Sequence, residues 1–169
     1  MLDCSVHVRH INDKQVCRID LSGSLAILPS TSNSRMIALN SRTGGRFIKK
    51  NYEHQKKLEM LTHAYAVACM HQGIMVPSFL KDPVYVLVLL AHNPRRHDSH
   101  NYAKPVGDWL QSIGLIKDDS LAEIDCRKKK DYFTNTLDQT EIIIIDKELI
   151  RNDTLEWIKK IRNLTQIKN

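Results

Sequence analysis

The stretch Val84-Tyr85-Val86-Leu87-Val88-Leu89-Leu90 decides the fold. It is an unbroken apolar and aromatic run rich in valine, and it suits a pleated backbone. Because no polar residue alternates through it, the strand is predicted to lie at the centre of a sheet covered on both faces. Pro77 and Pro83 punctuate the chain just ahead of it. Everything else is arranged around this strand.

Upstream, helical periodicity begins near Tyr52. Leu58, Leu61, Tyr65 and Ala68, with Cys69 alongside, recur every three or four residues and define a buried stripe. Lys56 and Lys57 flank its start, and Gly73 is a natural C-terminal stop. Downstream, a second helix ends around Ser112-Ile113 and is closed by Gly114, with Val106, Trp109, Leu110 and Ile113 on its inward face. Pro105 is tolerated only in a first turn, so this helix is predicted to begin near Lys104 or Pro105. Tyr102 and Trp109 read as core aromatics rather than base-stacking residues.

Further out, Ser5–Arg9 and Gln15–Ile19 alternate as a strand pair around a turn at Asn12-Asp13. Leu25-Ala26-Ile27-Leu28 reads as a short strand stopped by Pro29. Residues 29–46, rich in Ser, Thr, Asn, Gly and Arg, read as a long loop or a short ribbon. Glu123–Lys129 and Glu141–Ile145 supply two more strands. A last helix is expected from an Asp153 cap with Glu156 three residues on, burying Leu155, Ile158 and Ile161. The sum is one α/β domain over residues 1–169, with a mixed, partly antiparallel sheet packed with helices.

Composition agrees. In 169 residues, 42% are hydrophobic and 26% charged, which supports a packed core and excludes wholesale disorder. The formal net charge is +6, a surplus that favours a polyanionic partner. It is unevenly placed: Arg35 to Lys57 carries seven basic residues (35, 42, 46, 49, 50, 56 and 57) against one acid, Glu53. No apolar run reaches the ~18 to 20 residues of a membrane span, and the first residues lack the pattern of a secretory signal. The 4 cysteines are too scattered for a disulfide scaffold or a structural zinc site. A reduced, cytoplasmic chain with no membrane partner is the expectation.

Chemistry concentrates in Asn93-Pro94-Arg95-Arg96-His97-Asp98-Ser99-His100-Asn101-Tyr102-Ala103-Lys104, at the end of the central strand. Lys117-Asp118-Asp119 follows one helix later. An antiparallel return of that helix would bring Asp118 or Asp119 beside Asp98. Paired carboxylates repel unless a cation lies between them, and a hard divalent ion such as Mg²⁺ prefers oxygen ligands. In such a site the ion would orient a phosphodiester and activate water. Arg95 and Arg96 would hold adjacent phosphates, and Lys104 would offset charge in the transition state. The other reading is that Asp118 and Asp119 cap a turn while Asp98 is a solvated loop residue. His100 is either an imidazole ligand or proton-transfer group, or a surface histidine. Arg127-Lys128-Lys129-Lys130 is either a second DNA-facing cluster, joining Arg35, Arg42, Arg46, Lys49 and Lys50, or a strand edge protected by lysines.

With these residues in view, the sequence resembles the RusA family of Holliday-junction resolvases. The likeness runs through Leu28-Pro29-Ser30-Thr31-Ser32-Asn33, the basic loop and first helix, and above all Arg95 to Lys104 and Gly114-Leu115-Ile116-Lys117-Asp118-Asp119. It spans residues 24–146, with residues 1–23 as an N-terminal extension carrying a hairpin and residues 147–169 as a helical C-terminal extension. The resemblance implies a homodimer acting on four-way DNA, each subunit using Mg²⁺ to hydrolyse one phosphodiester during recombination or repair. It places Asp98 at the family's first acidic position, Asp119 at the third with Asp118 beside it, Asn101 at its asparagine and Lys104 at its functional lysine. His100 stands where the family has its second aspartate. That departure allows an imidazole ligand, a preference for Mn²⁺, Asp118 as a substitute, or a protein that binds junctions with little or no cleavage.

Overall fold

The computed structural model describes residues 3–11, 13–30, 35–75, 79, 83–90, 99–128 and 139–150. The helix expected from Asp153 onward lies outside them.

β1 (Cys4–Ile11) and β2 (Lys14–Ser22) form a hairpin. Asp13, with φ 62°, takes the left-handed conformation that the reversal needs. β2 then pairs antiparallel with β7 (Gln139–Asp146), so the expected N-terminal extension is continuous with the sheet and supplies two of its strands. β7 pairs antiparallel with β5 (Val84–Leu90), and β5 pairs in parallel with β6 (Ala122–Lys128). The order β1-β2-β7-β5-β6 puts β5 inside a mixed, five-stranded sheet. All seven of its residues are buried, as an uninterrupted apolar run requires.

After β2 the chain does not make the short strand expected at Leu25–Leu28. Gly23, at φ 57°, turns it out of the sheet into a 3-10 turn over Gly23–Ala26. The Thr140 hydroxyl donates to the Ala26 carbonyl at 2.6 Å and fixes that turn against β7. Leu25 and Ala26 are buried as their hydropathy demands, but in a turn rather than a strand. Residues 35–50 form a separate antiparallel ribbon, β3 (Arg35–Leu39) and β4 (Arg46–Lys50).

α1 (Tyr52–Gln72) starts where the Asn51 side chain accepts from the Glu53 amide at 3.0 Å. It stops at Gly73, whose φ of 61° permits the left-handed cap. Leu61, Tyr65, Ala68 and Cys69 are buried on one side of it. α2 (Ala103–Ser112) follows a 3-10 turn at Ser99–Tyr102 and holds Pro105 in its first turn, where a missing amide hydrogen costs nothing. The two helices meet through Tyr65 and Trp109, edge to face with ring centres 6.3 Å apart, and the indole donates to Thr62 Oγ1 at 3.2 Å. The main core gathers Val84, Val86, Val88, Ile142 and Ile144 from the sheet with these helix residues. Tyr85, Leu87, Leu89, Ile143 and Ile145 alternate onto the opposite face and form a smaller core with Leu149.

Candidate nucleic-acid interface

The basic segment is a ribbon rather than an unstructured loop. Its strands pair Arg35 with Lys50, Ile37 with Ile48 and Leu39 with Arg46, so these six positions share one face. At the tip, Asn40 accepts from the Gly44 amide at 2.8 Å, and its side chain accepts from the Arg42 amide at 2.9 Å. Gly44 needs its glycine there, with φ at 66°. Among the described residues the two strands pack chiefly on each other. Ile37 and Leu39 are 70% and 69% exposed, and Arg42 and Arg46 are exposed as well. Residues 35–50 contain five cations (Arg35, Arg42, Arg46, Lys49 and Lys50) and no acid. No acid within residues 35–50 offsets that charge, a composition that suits contact with a polyanion.

At the root of the ribbon lies a cleft of about 430 Å³ between Ser24–Ser30 and the start of α1. Ile27, Leu28 and Pro29 form an apolar wall, and Asn51, Glu53, His54 and Lys57 face it from the helix. The Lys57 ammonium donates to the Ser24 carbonyl, and partial burial lowers its pKa. Burial also lowers the pKa of His54, against an opposing pull from Asp108. Sequence reading passed over this cleft because its walls come from segments more than twenty residues apart. Its one local signal in the sequence is the apolar run at Leu25–Leu28.

Of the expected catalytic residues, the structure describes His100, Lys104, Asp118 and Asp119. Asp98, Arg95 and Arg96 lie outside the described residues. His100 and Asn101 belong to the 3-10 turn that opens α2. Lys104 is exposed, with Nζ 3.3 Å from Asp108 Oδ1 on the same helix. Asp118 Oδ1 accepts from the Ser120 amide at 2.9 Å, capping the 3-10 turn Asp119–Leu121 that leads into β6. This is the turn-cap reading of Asp118. The parallel pairing of β5 with β6 sets Val84 opposite Ala122 and Leu90 opposite Lys128. The chain must therefore travel the length of the sheet between these strands, and α2 makes that journey. Its 10 residues extend about 15 Å, with His100 before one end and Asp118-Asp119 beyond the other.

The expected Mg²⁺ or Mn²⁺ site is accordingly corrected. Among the described residues, no group of three or more His, Cys, Asp or Glu side chains could hold a metal ion. Helix α2 sets His100 apart from Asp118-Asp119, and the Asp118 carboxylate is engaged by a backbone amide. Among the described residues the donor set does not fit a shared divalent ion, and no step is routed through one.

Arg127 does not extend the ribbon's charge either. Its guanidinium lies 2.5 Å from Asp125 Oδ2, the same oxygen that accepts the Tyr85 hydroxyl at 2.8 Å. Tyr85 belongs to the smaller core, on the sheet face opposite α1 and α2. Arg127 is thus paired on that far face, and its pKa is raised chiefly by the Asp125 hydrogen bond. Lys128 ends β6, and Lys129 and Lys130 lie outside the described residues.

No family model matches the chain, and no curated protein is similar to it. No helix among the described residues is long and apolar enough to cross a membrane. The ribbon and the cleft at its root therefore carry the functional argument on their own chemistry.

Proposed function

We propose that this chain is a RusA-like protein that binds branched DNA, four-way junctions above all, as a cytoplasmic homodimer. The observation that carries this reading is the ribbon, with five cations and no acid on an element that packs chiefly on itself. A two-stranded ribbon has the width to enter a major groove, and its arginines and lysines provide phosphate contacts that need no particular sequence. A two-fold dimer would present two such ribbons to the arms of a junction, matching symmetry with symmetry. The test is fluorescence anisotropy on four-way junction, duplex and single strand of equal length. Tighter binding to the junction at every salt concentration supports the reading. Equal affinity for all three would reduce it to general polyanion binding.

A second reading is hydrolysis of phosphodiesters in the same junctions, as the resemblance implies. It is favoured by Lys104, which follows Asn101 and stands exposed in the first turn of α2. Denaturing gels of the bound junction separate the two readings. Paired symmetric nicks lost in Lys104→Ala support the nuclease, and intact strands leave the binding protein.

A further inference from the structure

We propose that the cleft at the ribbon's root receives a single nucleobase turned out of the DNA that the ribbon holds. This rests on the branched-DNA reading and assigns it a base-binding site.

The size and chemistry of the cleft both point this way. Its volume of about 430 Å³ falls in the range of small-ligand sites. Ile27, Leu28 and Pro29 offer an apolar surface on which a base can lie, and Ile27 is 48% exposed with its side chain at the wall. Facing them are a cationic donor, Lys57, and a carboxylate acceptor, Glu53. A phosphate gains little here, because Glu53 offsets the attraction of Lys57. A nucleobase is well suited, since its edge presents both amino donors and ring or carbonyl acceptors. The cations that phosphates require lie instead on the adjoining ribbon, and so the backbone and base of one nucleotide would find separate partners.

Placement adds to the case. Ser30 and Asn51 both line the cleft, one on each side of the ribbon segment. Asn51 directly follows β4, so the root of the ribbon adjoins the cleft. Tyr52, the next residue, is 70% exposed and leaves an aromatic side chain in solvent at this end of α1. The Lys57 ammonium is tethered to the Ser24 carbonyl, which fixes its side chain across the cleft before any ligand arrives. At a branch point a base is already poorly stacked, so turning it out costs least there. A cleft of this kind would favour junctions over plain duplex.

The experiment places 2-aminopurine, a base whose fluorescence rises when it leaves the stack, at each branch-point position of a synthetic four-way junction. The full chain is compared with Ile27→Ser and Lys57→Gln, after thermal melts confirm that both variants fold. The expected result is a fluorescence rise at one position with the unaltered chain. In each variant that rise is lost and junction affinity falls about fivefold or more, while the uncharged exchange Ile27→Ser leaves affinity for plain duplex unchanged. A bound junction with no rise, or with the same rise in both variants, overturns base docking and leaves the branched-DNA reading intact. Tight binding of free deoxynucleoside monophosphate without any 2-aminopurine response would assign the cleft to a soluble nucleotide and also overturn it. If the unaltered chain binds no junction, the underlying reading fails and base docking with it.

Discussion

The ammonium of Lys104 stands 3.3 Å from the carboxylate of Asp108, one turn further along α2, with both side chains more than half exposed. An exposed pair at this spacing contributes only about 0.3–0.5 kcal/mol. Asp108 therefore holds a lysine that a phosphate could readily take over. Asp108→Asn is expected to change stability by less than about 0.5 kcal/mol and to strengthen junction binding, while Lys104→Ala weakens it. Anisotropy titrations beside urea melts check both signs. Weaker binding in Asp108→Asn would remove Lys104 from the DNA-facing set.

The ribbon makes a different demand. If Arg42 and Arg46 each neutralise a phosphate, replacing one by glutamine lowers the slope of log affinity against log salt by about 0.9 on duplex DNA. The double variant should lose about twice that, with an unchanged thermal melt, because both side chains are exposed. An unaltered slope with reduced affinity would show that these arginines shape the ribbon rather than touch phosphate.

Much of the fold could be read along the sequence where one local force dominates. Apolar residues run unbroken through β5, a stripe followed by Gly73 bounds α1, and alternation marks the β1–β2 hairpin. Leu25–Leu28 misled because a short apolar run reports burial and not backbone angles, and the angles were set by Gly23 and by Thr140, more than a hundred residues on. For Asp118 and Asp119 the sequence left two readings open, a metal ligand or a turn cap, and the cap is what Asp118 makes. Adjacency to a glycine stop says nothing about which end of the sheet a turn occupies, and the parallel register of β5 with β6 decides that. The basic ribbon was legible as charge, while the cleft beneath it was not, since it exists only when distant segments meet.

On the face of the sheet away from α1 and α2, Arg18 Nε lies 2.9 Å from Asp20 Oδ1 and 3.2 Å from Glu141 Oε1. Burial raises the Asp20 pKa above its ordinary 3.8, and Arg18 only partly offsets it. The folded chain thus holds the Asp20 proton more tightly than the unfolded chain does. This group's contribution to stability is therefore fully present below pH 3.8, is lost as pH rises through the raised value, and is flat above it. Asp20→Asn abolishes that dependence. The unfolding free energy of the variant minus that of the original chain should rise between pH 3.5 and 7 in urea titrations. A difference that stays level or falls would mean that Arg18 outweighs burial.

The thiols give the opposite end of the pH scale. All four cysteines are free and buried. Burial is the main force pushing Cys4 and Cys126 from 9.0 up to about 12, because a thiolate in an apolar core loses its water without gaining a cation. Well below pH 9 both states keep the proton and no stability is at stake. As pH climbs from 9 towards 12 the unfolded chain ionises first, so stability falls across that window. The urea midpoint should drop between pH 8.5 and 10.5, and the drop should be shallower in Cys126→Ala, which removes one of the ionising groups. At pH 8 the same burial should keep all four thiols silent towards a thiol reagent until urea unfolds the chain. Rapid labelling of Cys126 in the native protein would show that β6, the edge strand carrying it, opens far more often than the rest of the sheet.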